Sequence, residues 1–338
     1  MSCFRRIAIH VTALIALAIG STMSAAAAPA CSGRDLLEQV KEQQPEDYQL
    51  ILQRAAKVPN GEGTLWKVER AGLEPSYLFG TIHLTDDRLT NLAQPVRDAL
   101  AQVDTVAVES LEAVDPAQMR KMMADNLNLL LLNDGSTLIS LLDDDARATV
   151  RTALSERGVD LALVSAMKPW MVAVSLAMPA CEATRQQEEL PFVDRVVAEL
   201  AKGSGKKLIG LESAQEQFEA LNSIPLDVQL EMLVSTAAMS ALSEDSFATM
   251  AALYRTGQIA LINEIARLFG ERNGMASETF DAFNRPLIDT RNHRMAERAT
   301  PYLDKGGTLI AVGALHMPGE QGLVELLRQQ GFTVSRVY

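Results

Sequence analysis

Two apolar runs near opposite ends of the chain finish in the same way. Tyr77 to Leu84 reads YLFGTIHL and Leu309 to Met317 reads LIAVGALHM, so each run passes through a glycine and reaches a histidine three residues later. A short apolar run bounded by turn residues reads as a strand buried on both faces. Two such strands, one from each end, predict a core that the two ends of the chain close together.

The remaining pattern fits that frame. Thr64 to Arg70 alternates like a strand, the stretch Gly72 to Pro75 turns, and a hairpin with Tyr77 to Thr81 follows. Thr105 to Ser110 and Lys206 to Ser213 are further short strands, and Phe332 to Val337 is the last. Helical spacing covers Asp35 to Lys57, Leu92 to Gln102, Asp115 to Leu200, Asp227 to Thr300 and Gly319 to Gln330, the last ended by Gly331. Asp115 caps a helix with Pro116 at its first position, KPWMVAVSLAM is a buried helix, and Ser213 with Glu216 forms a capping box. The expected fold is α/β (α+β): a mixed central sheet built from both ends of the chain, with a large helical insertion. One domain is expected over 31–338, its α/β core at about 60–112, 206–220 and 305–338 and the insertion at about 113–300.

The first thirty residues read as a signal peptide: Arg5 and Arg6, an apolar stretch from Ile7 to Gly20, and small residues from Ala25 to Ala30. Cleavage after Ala27, Ala28 or Ala30 fits. Cys31 hints at lipidation, but Ala28 stands where leucine is usual, so a periplasmic or secreted protein is the preferred reading. The whole chain carries a formal net charge of −12, and loss of Arg5 and Arg6 takes it to −14. Such an acidic surface argues against nucleic acid as a partner. No later stretch is long and apolar enough to span a bilayer. Cys3 leaves with the signal, and Cys31 and Cys181 remain. In an exported protein that pair predicts one disulfide, with two free thiols as the alternative.

Several chemistries are excluded. KGSGKK at Lys202 to Lys207 lacks the first glycine of a phosphate loop, has Lys207 where Ser or Thr belongs, and leads from helix to strand. No H-E-x-x-H, nucleophile elbow or dinucleotide fingerprint occurs.

Four histidines are present, and His10 falls in the signal. His83 and His316 stand beyond the carboxyl ends of strands, where α/β sheets gather their ligand sites. Gly80 and Gly313 make room beside them. A lone G-x-x-H is as compatible with capping or packing, but two copies in a histidine-poor chain favour function. Glu109 ends the apolar run TVAV and Glu212 ends LIGL. Glu109 at the end of a buried strand needs a metal or an arginine, whereas the helix that follows Glu212 explains that residue equally well. Two imidazoles and a carboxylate, His83, His316 and Glu109, match an open site for Zn, Fe, Mn or Co. Glu212 is the candidate base. Arg291 is a candidate for holding an oxyanion, with a surface salt bridge as the competing reading. His293 reads as exposed.

In this order, these segments resemble the TraB/GumN family, which includes the PrgY and TIKI proteins. YLFGTIHL, VAVES, KPW, LIGLES, RNHRMAERA and VGALHMPGEQGLVELLRQQGFTV resemble its motifs over about 34–338. They place its roles on His83, Glu109, Arg291, Asn292 and His316. The resemblance implies a fold like that of erythromycin-esterase and ChaN-like proteins, and a metal-dependent hydrolase using Mn or Co on a peptide or small-molecule substrate. ELPFVD departs from the family's glycine-containing segment and leaves the role of Asp194 open. The alternatives are a binding protein without turnover, holding iron, haem or a peptide, and a regulator that sequesters a peptide through the helical insertion.

Overall fold

The computed structural model describes residues 31–338. The signal-peptide reading lies outside the described residues. Six strands form one sheet: β1 (Leu65–Glu69), β2 (Ser76–Thr81), β3 (Thr105–Ser110), β4 (Lys207–Glu212), β5 (Thr308–Gly313) and β6 (Thr333–Arg336), in the order β4-β3-β5-β2-β1-β6. The four strands β4, β3, β5 and β2 run parallel, and β1 is antiparallel to both β2 and β6. The class is α/β with a mixed sheet built from both ends of the chain and helical stretches between them.

Alternation along the strands builds two core layers. Leu65, Phe79, Val106, Val108, Leu309 and Ala311 face one layer, while Trp66, Leu78, Ala107, Ile310 and Val312 face the other. The first layer is covered by helices that include Gln94–Gln102, Val193–Gly203 and Ile259–Arg272, and the second by Asp289–Leu303 and Leu323–Gln329. Leu138, Leu154, Leu161, Leu176 and Leu233 form a third core within the helical part, away from the sheet. The hairpin joining β1 to β2 turns through Gly72 at φ +82°, a conformation that costs glycine nothing.

Some boundaries differ from the sequence pattern for local reasons. The stretch Asp35 to Lys57 is two helices, Leu36–Gln43 and Pro45–Ala55, because proline removes a donor and restricts the residue before it. The last helix starts only at Leu323, four residues past Gly319. The caps read from the sequence are present: Asp115 accepts from Ala117 and Gln118, and Ser213 pairs with Glu216. Cys31 and Cys181 form a disulfide with their Cα atoms 5.4 Å apart, closing a span of 150 residues. Among the described residues, no helix is long and apolar enough to cross a membrane.

The consequence for function is positional. Four parallel strands end at one edge of the sheet. That edge receives the segment to His83 from β2, Glu109 from β3, Glu212 from β4 and the turn Ala314–His316 from β5.

Candidate functional site

The centre of this edge is a carboxylate–arginine–carboxylate group. Glu109 is 6% exposed and Glu212 5%. Adjacent parallel strands carry the two acids to this edge, with Glu212 in register with Ser110, the residue after Glu109. Arg291, from the helix Asp289–Leu303, lies between them. Its Nη2 donates to Glu109 Oε2 at 2.7 Å and its Nε to Glu212 Oε2 at 2.8 Å. Gln217 donates to Glu109 Oε2 at 3.0 Å and the Gly313 N–H to Oε1 at 2.6 Å. Arg294 donates to Glu212 Oε1 at 3.2 Å. Two anions taken out of water this close require such a shared cation.

Burial alone would raise the Glu109 carboxyl. The positive potential of His316, Arg291 and His83 and the Gly313 N–H overcome it, and Glu109 stays at about 2. Because burial drives His316 itself neutral, we assign the lasting part of that pull to Arg291 and Gly313. Glu212 moves the other way: burial raises it, and Arg291 and Arg294 only partly compensate. The neighbouring Arg298 grips Glu216 through both Nη atoms, at 2.8 and 2.7 Å, which extends the charge ladder along one helix face.

The two histidines share an arrangement. Nδ1 of His316 lies 2.7 Å from Asn292 Oδ1, and the Asn292 amide nitrogen donates to the Gln321 carbonyl at 2.7 Å. An amide oxygen only accepts, so the His316 proton sits on Nδ1. Nε2 is left bare, 3.7 Å from Glu109 Oε1. Burial pushes His316 down to about 4, with Glu109 opposing and Arg291 and His83 reinforcing the shift. His83 Nδ1 lies 2.9 Å from Asp194 Oδ2, while Thr81 donates to Asp194 Oδ1 at 2.5 Å. The His83 Nε2 makes no hydrogen bond among the described residues. The charge of Asp194 raises His83 to about 9 against the opposing effect of burial. The ring is 59% exposed, so water screens part of that attraction.

The glycines serve the backbone around these groups. A Cβ on Gly313 would stand 3.1 Å from Glu109 Oε1 and 3.5 Å from His316 Cδ2. A Cβ on Gly80 would meet Ala314 at 3.0 Å, so Gly80 gives clearance to the turn that carries His316 rather than to a ligand. Tyr254 Oη donates to the Gly80 carbonyl at 2.7 Å and pins the end of β2.

Among the described residues, no three His, Cys, Asp or Glu side chains already stand together as a metal-binding group. The closest approach to the expected set is Glu109 with His316, and the Glu109 carboxylate is engaged by three donors. His293 is exposed and meets Gln321. Lys168 and Trp170 both donate to Asn222, which ties helices of the insertion together. Asp194, whose role the sequence left open, is buried and orients His83. Its position in the first turn of the helix Val193–Gly203 was the available signal. Gln217 and Arg294 gave no such signal, because only the fold brings their helices to this edge. The same holds for Glu182, beside Cys181, which accepts from Thr85 N at 3.0 Å and Thr85 Oγ1 at 2.9 Å just beyond His83.

The model of the TraB/PrgY/gumN family matches residues 64–336, which takes in all six strands and every residue of this edge. The chain belongs to the TraB/PrgY/gumN family. It is 24% identical over 322 residues to metalloprotease TIKI2 of Danio rerio, covering 80% of this chain and 60% of that protein. It is 25% identical over 317 residues to metalloprotease TIKI2 of Xenopus tropicalis, covering 80% and 59%. It is 22% identical over 314 residues to a metalloprotease TIKI homolog of Amphimedon queenslandica, covering 81% and 61%. The chain thus spans about 60% of the length of these curated relatives. No solved structure matches it.

Proposed function

We propose that the protein is an exported, metal-dependent hydrolase acting on peptides. The observation that supports this best is the shared state of the two histidines. Both are delivered to one sheet edge, both have Nδ1 held by an oxygen, and both leave Nε2 without a hydrogen bond among the described residues. That is how a protein fixes an imidazole for a metal. Each of the two strand ends has recruited its own oxygen partner to reach this state.

His83 and His316 would hold the ion, with Glu109 as the carboxylate ligand once it gives up one of its donors. A bound divalent ion, Mn or Co by family likeness and Zn or Fe by donor type, supplies an acidified water and polarises a carbonyl. The chain's own groups do the rest. Arg291 keeps Glu109 ionised and holds Glu212 beside it. Glu212, raised by burial, is the candidate base, since a carboxyl moved toward neutrality accepts a proton more effectively. Among the described residues Arg291 Nη1 donates only to the Leu287 carbonyl, at 3.2 Å, and is the guanidinium edge we assign to a substrate oxyanion. Asn292 and Gly313 support the turn of His316. The relatives named metalloprotease and the disulfide are consistent with this reading and with export.

Bound metal measured on the purified protein, alongside a His83→Ala/His316→Ala double variant, tests the site. We expect metal in the first and none in the second, and cleavage of a peptide library under Mn or Co by the first only. Equal metal content in both would remove these residues from the role.

One observation favours a second reading. The Glu109 carboxylate already accepts from Gly313, Arg291 and Gln217, which suits a protein that binds iron, haem or a peptide without turnover. A haem absorption band on reconstitution, with no peptide cleaved under any metal, would select it.

A further inference from the structure

A cleft of about 320 Å³ lies beside the turn that carries His316, and Glu264 lines it. Its walls come from the elements that build the candidate site. Leu315, Pro318 and Gly319 flank His316 and Met317, and Asp289 opens the helix that carries Arg291. Glu264 sits on the helix Ile259–Arg272 and is only 7% exposed. Even so, neither of its oxygens accepts a hydrogen bond among the described residues, and Oε2 is fully buried. Its one ion-pair partner among the described residues, Arg267, keeps Nε 3.8 Å away. That guanidinium is already engaged, with Nη2 on Asp281 at 2.7 Å and its plane 4.5 Å over the Phe280 ring. Burial raises the Glu264 carboxyl, and a cation set against it from the cleft would favour its charged form.

The chemistry of the walls selects that partner. A divalent ion needs several oxygens around it, and among the described residues no metal-binding group of acids forms here. An organic cation needs one carboxylate and an apolar path for its stem. Asn263, Asn284 and Leu315 also line an adjoining apolar chamber of about 340 Å³, together with Met250 and Phe283. Asp281 and Asp289 also line the cleft and favour a cation, with Arg267 and the exposed Arg285 opposing them.

We propose that this cleft recognises a basic side chain of a peptide, lysine or arginine, paired to Glu264, with an adjacent large apolar side chain in the Leu315 chamber. The proposal rests on the reading that this edge of the protein receives peptide.

Anisotropy of a fluorescein-labelled hexapeptide containing Leu-Lys, against matched Leu-norleucine and Leu-Glu peptides, tests it on the intact protein. The lysine peptide should bind about tenfold more tightly than the norleucine one, as expected for a charge-assisted hydrogen bond. Glu264→Gln should erase that difference, and a tenfold excess of putrescine should not displace the peptide. Equal binding of the lysine and norleucine peptides to the wild type overturns the proposal, and this comparison needs no variant to fold. Preference retained by Glu264→Gln, or displacement by putrescine, overturns it as well. The His83→Ala/His316→Ala variant separates the two readings. It should lose metal and cleavage while keeping the lysine preference, so a failure of the metal site leaves this result standing and a failure here leaves the metal site standing.

Discussion

The two G-x-x-H strand ends look alike in sequence and hold Nδ1 alike, yet they differ in burial and in charge preference. His316 is buried against a neutral amide, Asn292, and is pushed down to about 4. His83 is open to water, leans on a carboxylate, Asp194, and is raised to about 9. The difference comes from the partner of Nδ1 and from burial, neither of which is part of the motif. An anion beside an imidazole favours its cation, and an amide in a dry site favours the neutral ring. The same backbone device therefore delivers one imidazole fixed neutral and one that readily takes a proton.

Removing the cation beneath the two strand ends should have the largest effect. Arg291→Ala leaves Glu109 and Glu212 buried side by side, and it should destabilise the fold by about 3–5 kcal/mol in denaturant unfolding. A loss below about 1 kcal/mol would mean that Gln217, Gly313 and Arg294 suffice. Next comes the tether on the His83 side. Cys31→Ser/Cys181→Ser should cost about 2–5 kcal/mol. It should also loosen Thr85 through Glu182, which amide exchange at residues 83–85 would register, while the His316 turn stays protected.

Exchanging the two partners tests the comparison itself. In metal-free protein, NMR titration of Asp194→Asn should show the His83 pKa falling, and Asn292→Asp should raise that of His316. The pH dependence of stability follows with its sign. His316 and Glu109 sit below their unfolded values of 6.5 and 4.5, so their contribution is present above those values. It is lost as pH falls through about 4 and about 2. His83 sits above 6.5, so its contribution is complete below that pH and lost as pH rises through about 9. Stability of the metal-free protein should peak near pH 6.5. Asp194→Asn should flatten the alkaline limb, and Asn292→Asp the acid one. A curve that stays monotonic from pH 5 to 9 would contradict the assignment. The smallest effect is expected from Gly80→Ala, at about 1 kcal/mol, as the new methyl pushes on Ala314. The His316 pKa should move and that of His83 should not.

Much of this could be read from local pattern. Strand positions, the hairpin, the cap at Asp115 and the box at Ser213 follow from period, turn residues and hydrogen-bonding side chains within a few positions of one another. His83, His316, Glu109, Glu212 and Arg291 stood out as polar residues at the ends of apolar runs or in a distinctive stretch, and the fold brings them to one edge. Their partners were not legible. Gln217, Arg294 and Glu182 sit on amphipathic helices whose polar faces look solvated, and Asp194 looks like an ordinary acid in a first helical turn.

The sequence by itself determined the class of fold and which strand ends carry histidine or glutamate, because strand period and glycine placement are local properties. Only the tertiary structure decided the strand order that sets Glu109 beside Glu212. It also decided that Arg291 ties up the Glu109 carboxylate, and that Asp194 and Asn292 give the two histidines opposite charge preferences. Those outcomes depend on burial and on contacts between residues far apart in the chain, and no local spacing encodes either.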